Sequence, residues 1–310
     1  MNERVLVTGG SGFIGSHLVE ALLQRGAQVH CLLLPTDPAI YLAPLNGQIV
    51  RHDADLLDVE RVHKVVKAVR PQVVFHLAAV GVSDVHADPA WVMRVNVEGT
   101  LNLLRALGGE YRVFVNTGTC HEYGNQPAPL SEDLAPRPEL PYAIAKAAAW
   151  HFCNRFVKVE KWPIVSVRPF SVYGPRQAAN TFVQACIRAA CEGRPFEMTP
   201  GEQQRDWVYV SDVVEGLIRA AETPAAIGGT FNLCSGIGTT LDAVARQIMQ
   251  IMEAMGNPVE IRRGALPYRR EEIWTLVGDP TRARRVLGWQ PTTPLAEGLL
   301  KTVHEVTEKR

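Results

Sequence analysis

Two groups of residues in this chain have types and spacings that could do chemistry together: a tyrosine and a lysine in mid-chain, and a glycine-rich turn near the start. Tyr142-Ala143-Ile144-Ala145-Lys146 opens an alanine-rich stretch, and helical residues four apart share a face. A free phenol, with a pKa of about 10, is a poor base at neutral pH. An ammonium one turn away and a cationic nicotinamide would both favour the phenolate. A shift of ~3 units takes ~4 kcal/mol of differential interaction, within the reach of two nearby positive charges. Such a base takes an alcohol proton while hydride leaves the carbon.

The glycine turn supplies the place for the nicotinamide cofactor. Thr8-Gly9-Gly10-Ser11-Gly12-Phe13-Ile14-Gly15 follows a short apolar run and opens a helical pattern. Gly9, Gly12 and Gly15 have separate tasks: a tight turn, close backbone approach to a diphosphate, and close packing of helix on strand. The helix start, with Phe13 and Ile14, then offers unpaired N–H groups and the positive end of its dipole to the anion. The acid that commonly holds the adenosine ribose belongs at the end of the second strand. That stretch reads Cys31-Leu32-Leu33-Leu34-Pro35-Thr36, without carboxylate or arginine, so NAD and NADP both stay open. Asp55-Leu56, after the third strand, is the candidate adenine clamp, against the alternative of a solvated strand-end acid.

The elements that must position these groups alternate regularly. Strands are expected at Val5-Leu6-Val7, 28–34, 73–77, 112–115 and Ile164-Val165-Ser166-Val167, with helices over 15–25, 58–69 and 91–107. Strands apolar throughout, alternating with amphipathic helices, predict a parallel sheet covered on both faces. The expectation is an α/β Rossmann-type doubly wound sheet with a smaller α+β lobe. Its dinucleotide-binding part is residues 1–174, with 206–236 returning to it through Trp207-Val208-Tyr209-Val210 and Phe231-Asn232-Leu233. The remaining lobe is 175–205 and 237–310, where Pro and Gly become denser and helices over 181–192 and 241–255 stand apart.

Bulk properties narrow the class. A chain of 310 residues buries about 75% of its unfolded surface and needs no disulfide staples. Lys+Arg and Asp+Glu number 32 each. Without a basic field, a dedicated nucleic-acid or membrane-surface binder is not expected, and anionic ligands must be held by local devices. The six cysteines form no CxxC pair, which predicts reduced, mostly buried thiols and no metal site. With neither a leader-like start nor an 18-residue apolar run, the chain reads as cytoplasmic.

The order and spacing of several motifs resemble the extended short-chain dehydrogenase/reductases, in their NAD-dependent epimerase/dehydratase branch. The resemblance covers nearly the full length. It is carried by Thr8 to Gly15, Asp55-Leu56, His76-Leu77-Ala78-Ala79, Asn96-Val97-Glu98-Gly99-Thr100, Thr119 to Gly124, Tyr142 with Lys146, Arg168-Pro169-Phe170, Arg205-Asp206-Trp207 and Leu287-Gly288-Trp289. It implies an NAD- or NADP-dependent enzyme acting on a UDP-, GDP-, CDP- or dTDP-linked hexose. It assigns Thr119 to the sugar hydroxyl at carbon 4, Tyr142 to its proton, and Lys146 to the cofactor ribose. Leu77, Ala78, Ala79 and Asn96 would line the cofactor. Ser171, Arg205, Arg269 and Glu272 would meet the substrate, the arginines as two-pronged diphosphate ligands. Family members commonly dimerise through the helix that holds the Tyr-Lys pair and the one before it, and Ala147-Ala148-Ala149-Trp150 with Phe152 suits such packing.

Departures divide the readings. Sugar 4,6-dehydratases carry an acidic pair just after the catalytic Thr, where this chain has Cys120 and His121, with Glu122 one place late. Those three residues are the further acid–base candidates. Ser171 replaces a common Asn, and Leu140 a small polar residue. Arg269, Glu272 and Asp279-Pro280-Thr281-Arg282-Ala283 resemble 4-epimerases, the favoured reading. Glu122-Tyr123-Gly124 and Asn232-Leu233-Cys234-Ser235-Gly236 resemble NADPH-dependent reductases of 4-keto-6-deoxyhexoses. A catalytically idle dinucleotide sensor is the non-enzyme alternative, against which the intact Tyr-Lys pair argues.

Overall fold

The computed structural model describes residues 3–82, 87–269 and 272–308. Met1 and Asn2, part of the start read above as lacking a leader, lie outside them. The strands are β1 (Arg4–Thr8), β2 (Gln28–Leu33), β3 (Ile49–Asp53), β4 (Val73–His76), β5 (Val113–Thr117), β6 (Ile164–Pro169), β7 (Ser171–Tyr173), β8 (Phe196–Met198), β9 (Gln204–Tyr209), β10 (Thr230–Leu233), β11 (Gly238–Thr240), β12 (Ile261–Arg263) and β13 (Thr275–Leu276). The helices are α1 (Phe13–Gln24), α2 (Val59–Val69), α3 (Pro89–Met93), α4 (Gly99–Leu107), α5 (Pro141–Arg155), α6 (Phe182–Cys191), α7 (Val210–Glu222), α8 (Leu241–Ala254) and α9 (Leu295–Glu308).

Seven strands form one sheet in the order β10-β6-β5-β4-β1-β2-β3, all parallel. The order reverses between β1 and β4, and a doubly wound sheet opens a crevice for ligands at the carboxyl ends beside that switch. Burial on both faces explains the unbroken apolar strands. Val5, Leu6 and Val7 are all fully buried, Val5 and Val7 against α1 and α7 residues such as Leu18, Leu22 and Leu217, and Leu6 against Val62, Leu103 and Leu104 from α2 and α4.

Local signals set the helix ends. Asp58 caps α2 by accepting from Arg61 N at 3.0 Å, Glu60 lies in its first turn and Lys67 in its last, as the helix dipole favours. The helix expected over 91–107 is interrupted by a wide π turn, Arg94–Glu98, between α3 and α4. Such turns displace side chains from the regular helical face, and this one carries Asn96.

A second sheet joins β11, β9 and β13, with β7 also paired to β9. Trp207-Val208-Tyr209 therefore lies in this sheet, not in the main one; the expectation for that run is corrected. β7 pairs with this run, and β11 with Gln204–Asp206 just before it. Phe231-Asn232-Leu233 does join the main sheet beside β6. A separate core of Val183, Ile187, Phe196, Val244, Ile248 and Leu299 packs α6, α8 and α9 together.

Candidate active site

One cavity of about 1150 Å³ runs from the glycine turn, past Tyr142 and Lys146, to Arg205, Arg269 and Glu272. That exceeds the ~300–1000 Å³ of most single-ligand pockets, so it has room for two ligands end to end.

Its first wall is the turn after β1. Gly9 has φ +69°, and a Cβ there would stand 2.6 Å from Ala78 N; a Cβ on Gly15 would stand 2.0 Å from Gly9 O. Any side chain at either position would push turn and helix apart. Gly12 caps α1 without a side chain, and the first turn holds no acid, so its N–H groups and dipole stay open to an anion. The opposite rim is fixed by a buried relay. Ala78 N–H donates to Thr8 Oγ1 (3.3 Å), Thr8 Oγ1 meets His76 Nδ1 (2.7 Å), His76 Nε2 meets Thr100 Oγ1 (2.8 Å), and Thr100 Oγ1 donates to Asn96 O (2.7 Å). Because Thr100 donates onward, it must accept from His76 Nε2–H, so Nδ1 accepts from Thr8. Burial, with Lys146 adding to it, lowers His76 to about 3, which keeps this neutral tautomer.

Asn96 is fully committed: its amide donates to Val80 O (3.0 Å) and accepts from Val80 N (2.9 Å). It shapes the loop after β4 and does not line the cavity. Leu77 and Ala79 do line it, while Ala78 backs onto Gly9. Asp55 caps its own turn by accepting from Leu57 N, and Leu56 is buried against Gly99. Neither belongs to the cavity wall.

A carboxylate that the sequence reading missed stands beside the cradle. Asp37 accepts from Ser11 Oγ at 2.6 Å and from Ala39 N at 2.8 Å. It lies four residues beyond the end of β2, past the point where a strand-end acid is sought. Thr36-Asp37-Pro38, a turn signature, was the available signal.

On the second wall, Pro141 starts α5 and Tyr142 and Lys146 share its cavity face. Lys146 Nζ donates to Thr117 O at 2.9 Å. Burial lowers the lysine to about 8, with Glu122 opposing that shift, so it is still cationic at neutral pH. Burial raises the Tyr142 phenol, and Glu122 and Cys120 raise it further. The expectation is that the Lys146 ammonium and a cationic nicotinamide together favour the phenolate; with the ammonium donating to Thr117 O, burial outweighs the lysine in the protein alone.

Thr119 ends the loop after β5. Its backbone N–H donates to Glu122 Oε1 (2.8 Å) and its hydroxyl accepts from His121 N (3.3 Å). Glu122 Oε2 in turn pairs with Arg168 Nε at 2.8 Å, both side chains buried. The Arg168 guanidinium lies between the rings of Tyr123 and Trp150, 4.7 Å from each. Tyr123 Oη accepts from Arg168 and donates to Asn232 Oδ1 (2.7 Å). Glu122 is therefore corrected as an acid–base candidate: it faces Arg168 beneath the cavity and holds Thr119 from below. Cys120 and His121 do line the cavity. Burial pushes the Cys120 thiol up to about 12. Burial, then Arg205 and Arg269, lowers His121 to about 4. At neutral pH one is a thiol and the other a neutral imidazole.

At the far end, Arg205 donates to Glu272 Oε1 (2.9 Å) and to Ile273 O (2.7 Å). Two residues taken as independent substrate contacts are thus one ion pair, with exposed Arg269 near it and Ser171 along the wall. Among the described residues no group of three or more His, Cys, Asp or Glu could hold a metal, and no helix is long and apolar enough to cross a membrane.

The glycine cradle, the acid-free helix start and the long cavity fit a dinucleotide with a second ligand beside it, and relatives agree. The chain is 36% identical over 311 residues to the UDP-glucose 4-epimerase of Mycolicibacterium smegmatis, with 97% of each chain covered. It is 28% identical to the GDP-6-deoxy-D-mannose reductase of Pseudomonas aeruginosa, over 96% of this chain and 95% of that one. The UDP-glucose 4-epimerase of Thermus thermophilus, solved in complex with NAD, superposes with a TM-score of 0.88 at 32% identity, covering 98% and 99% of the chains. The family model described as "NAD dependent epimerase/dehydratase family" matches residues 5–234. The protein is an enzyme whose cofactor is NAD or NADP, and the chain belongs to the NAD-dependent epimerase/dehydratase family.

Proposed function

We propose that the chain is a nucleotide-sugar 4-epimerase that keeps NAD bound. The carrying observation is that Thr119, Tyr142 and Lys146 line one cavity continuous with the glycine cradle, while Cys120 and His121 stand where dehydratases carry an acidic pair. NAD, held at the glycine cradle, would supply a hydride acceptor and a positive charge. Thr119 Oγ1 orients the carbon-4 hydroxyl, and Tyr142 Oη accepts its proton as the carbon–hydrogen bond breaks. Lys146, held by Thr117 O, binds the cofactor ribose. Inversion would be completed when the sugar presents its other face to the cofactor and Tyr142 Oη returns the proton to the carbon-4 oxygen.

The same inventory disfavours dehydration. Removing the proton at carbon 5 and expelling water needs a base and an acid, and His121 near 4 with Cys120 near 12 offers only a weak base and a weak acid at neutral pH. Asp37 takes the place of the strand-end ribose acid, and its charge would repel the 2′-phosphate of NADP. Arg205 and Arg269 grip the substrate diphosphate, with Glu272 orienting Arg205. Similarity to the mannose reductase and the Glu122-Tyr123-Gly124 motif support reduction of a 4-keto sugar as the second reading. Half-exposed Ile144, Phe152, Trp91 and Met93 on α5 and α3 support a homodimer through that face.

Tyr142→Phe tests the assignment. Cofactor content should be unchanged while turnover falls by roughly 10²–10⁴-fold, the usual worth of a positioned base. Undiminished turnover would remove Tyr142 from the chemistry.

A further inference from the structure

Thr119 and Tyr142 stand on different elements, the turn after β5 and the start of α5, and chemistry at one carbon needs their separation held. Two ties join these elements. The first is the bond from Lys146 Nζ to Thr117 O at 2.9 Å, which the proposed contact with the cofactor ribose would have to share. The second starts at Trp150, one turn past Lys146 on the same helix and about two past Tyr142. The Arg168 guanidinium carbon lies 4.7 Å from the centre of the Trp150 ring. Arg168 Nε donates to Glu122 Oε2 at 2.8 Å, and Thr119 N–H donates to Glu122 Oε1 at 2.8 Å. From helix to turn, contact passes through Trp150, Arg168, Glu122 and Thr119.

Each link is itself fixed. Trp150 Nε1 donates to Thr230 Oγ1 of β10 at 2.9 Å. Arg168, fully buried on β6, also lies over the Tyr123 ring and donates to its hydroxyl at 3.1 Å. Gly118 leaves room for the carboxylate, since a Cβ there would stand 2.2 Å from Glu122 Oε1. A guanidinium is attracted to an indole face, more strongly away from water, and its planar fork fixes the carboxylate it meets. Trp150 does not line the cavity, so any part it has in the reaction is exerted through this stack.

We propose that Trp150 is a positioning residue: by stacking on Arg168 it ties α5 to the Thr119 turn and sets the separation of Tyr142 from Thr119. The tie does not involve Lys146, so it persists when the lysine engages the cofactor. This rests on the assignment of Thr119 and Tyr142 to one carbon, which epimerisation and 4-keto reduction share.

Kinetics of Trp150→Ala, Trp150→Leu and Trp150→Phe test the proposal, with NAD affinity measured by calorimetry. The substrate is UDP-glucose, or a 4-keto-6-deoxy sugar nucleotide with NADPH where the wild type reduces that instead. Trp150→Ala should lower kcat by roughly tenfold to a hundredfold, the cost of misplacing reacting groups by about 1 Å. KM and NAD affinity should keep their wild-type values, because Arg205, Arg269 and the glycine cradle are untouched. Phe restores a ring face and should hold kcat within about fivefold of the wild type. Leu, which fills much of the same volume without that face, should behave like Ala. Wild-type kcat in Trp150→Ala, no advantage of Phe over Leu, or an equal loss of NAD affinity overturns the inference. The comparison of Phe with Leu decides the matter where Trp150→Ala does not fold. Undiminished turnover in Tyr142→Phe, or a wild type inactive on both substrates, would instead remove the reading on which the proposal rests.

Discussion

At the end of β1 the chain makes its binding surface by omitting side chains; at the end of β5 it fills the same kind of space with a buried ion pair. In the cradle, Gly9 and Gly15 bring backbone to within reach of backbone, and the ligand-facing groups are peptide N–H. Under Thr119, Glu122 and Arg168 lock a short turn from beneath, and the ligand-facing groups are side chains. The first solution suits any diphosphate, since backbone donors read charge and shape. The second fixes the Thr119 turn, which the proposed chemistry at one carbon would require. General affinity and specific geometry are thus built separately, on neighbouring strands.

The largest expected effect breaks the second solution. Glu122→Gln leaves the Arg168 charge buried without its counter-ion, and removing one partner of a buried pair costs about 3–5 kcal/mol. Urea unfolding should show that loss, with cofactor affinity kept in whatever fraction folds. A loss under ~1 kcal/mol would mean that the pair does not lock the turn.

Next comes a pH effect at Lys146. Its folded pKa, about 8, lies below the ordinary 10.5, so the folded state disfavours the charged form. The destabilisation is complete below pH 8 and is relieved as pH rises from 8 towards 10.5, where the unfolded chain binds more protons. Relative to Lys146→Met, the ligand-free wild type should gain up to about 3 kcal/mol over that interval. A flat difference would show that the lysine is better solvated than its burial indicates. Glu122 opposes the shift, so a folded Glu122→Gln variant should titrate Lys146 lower still.

In the cradle, Gly15→Ala places a methyl against Gly9 O and should cost roughly 1–3 kcal/mol of stability, as other overpacked sites do. Dinucleotide binding should fall with it, because the turn and α1 must separate. Unchanged affinity would contradict the close-approach reading. The smallest effect lies at the cradle's edge. Asp37→Ala should narrow the preference for NAD over NADP by about tenfold, equivalent to ~1.4 kcal/mol; an unaltered ratio would exclude Asp37 as the selector.

The contrast also explains what the sequence made legible. Glycine turns and a Tyr-Lys pair are local patterns, so Gly9, Gly12, Gly15, Tyr142 and Lys146 could be read directly, as could the strands that are apolar on both faces. Partnerships between distant residues carry no local pattern. Glu122, an acid–base candidate, pairs with Arg168, a motif residue 46 positions away, and Arg205 and Glu272, 67 apart, looked like separate substrate contacts until folding brought them together. The assignment of β9 failed for a related reason: a short apolar run fits either sheet, and pairing partners decide. Asp37 escaped because it lies in the turn after β2 and not at the strand end where an acid was sought.

The most direct test of 4-epimerisation is an account of the cofactor during turnover. The protein, purified without added nucleotide, would be mixed with UDP-glucose while sugar products and nicotinamide absorbance are followed together. The proposal predicts bound NAD, conversion to UDP-galactose until both sugars reach equilibrium, and no net change in absorbance. Absence of UDP-galactose, together with stoichiometric consumption of NADPH on a 4-keto-6-deoxy sugar nucleotide, would contradict it and establish the reductase reading in its place.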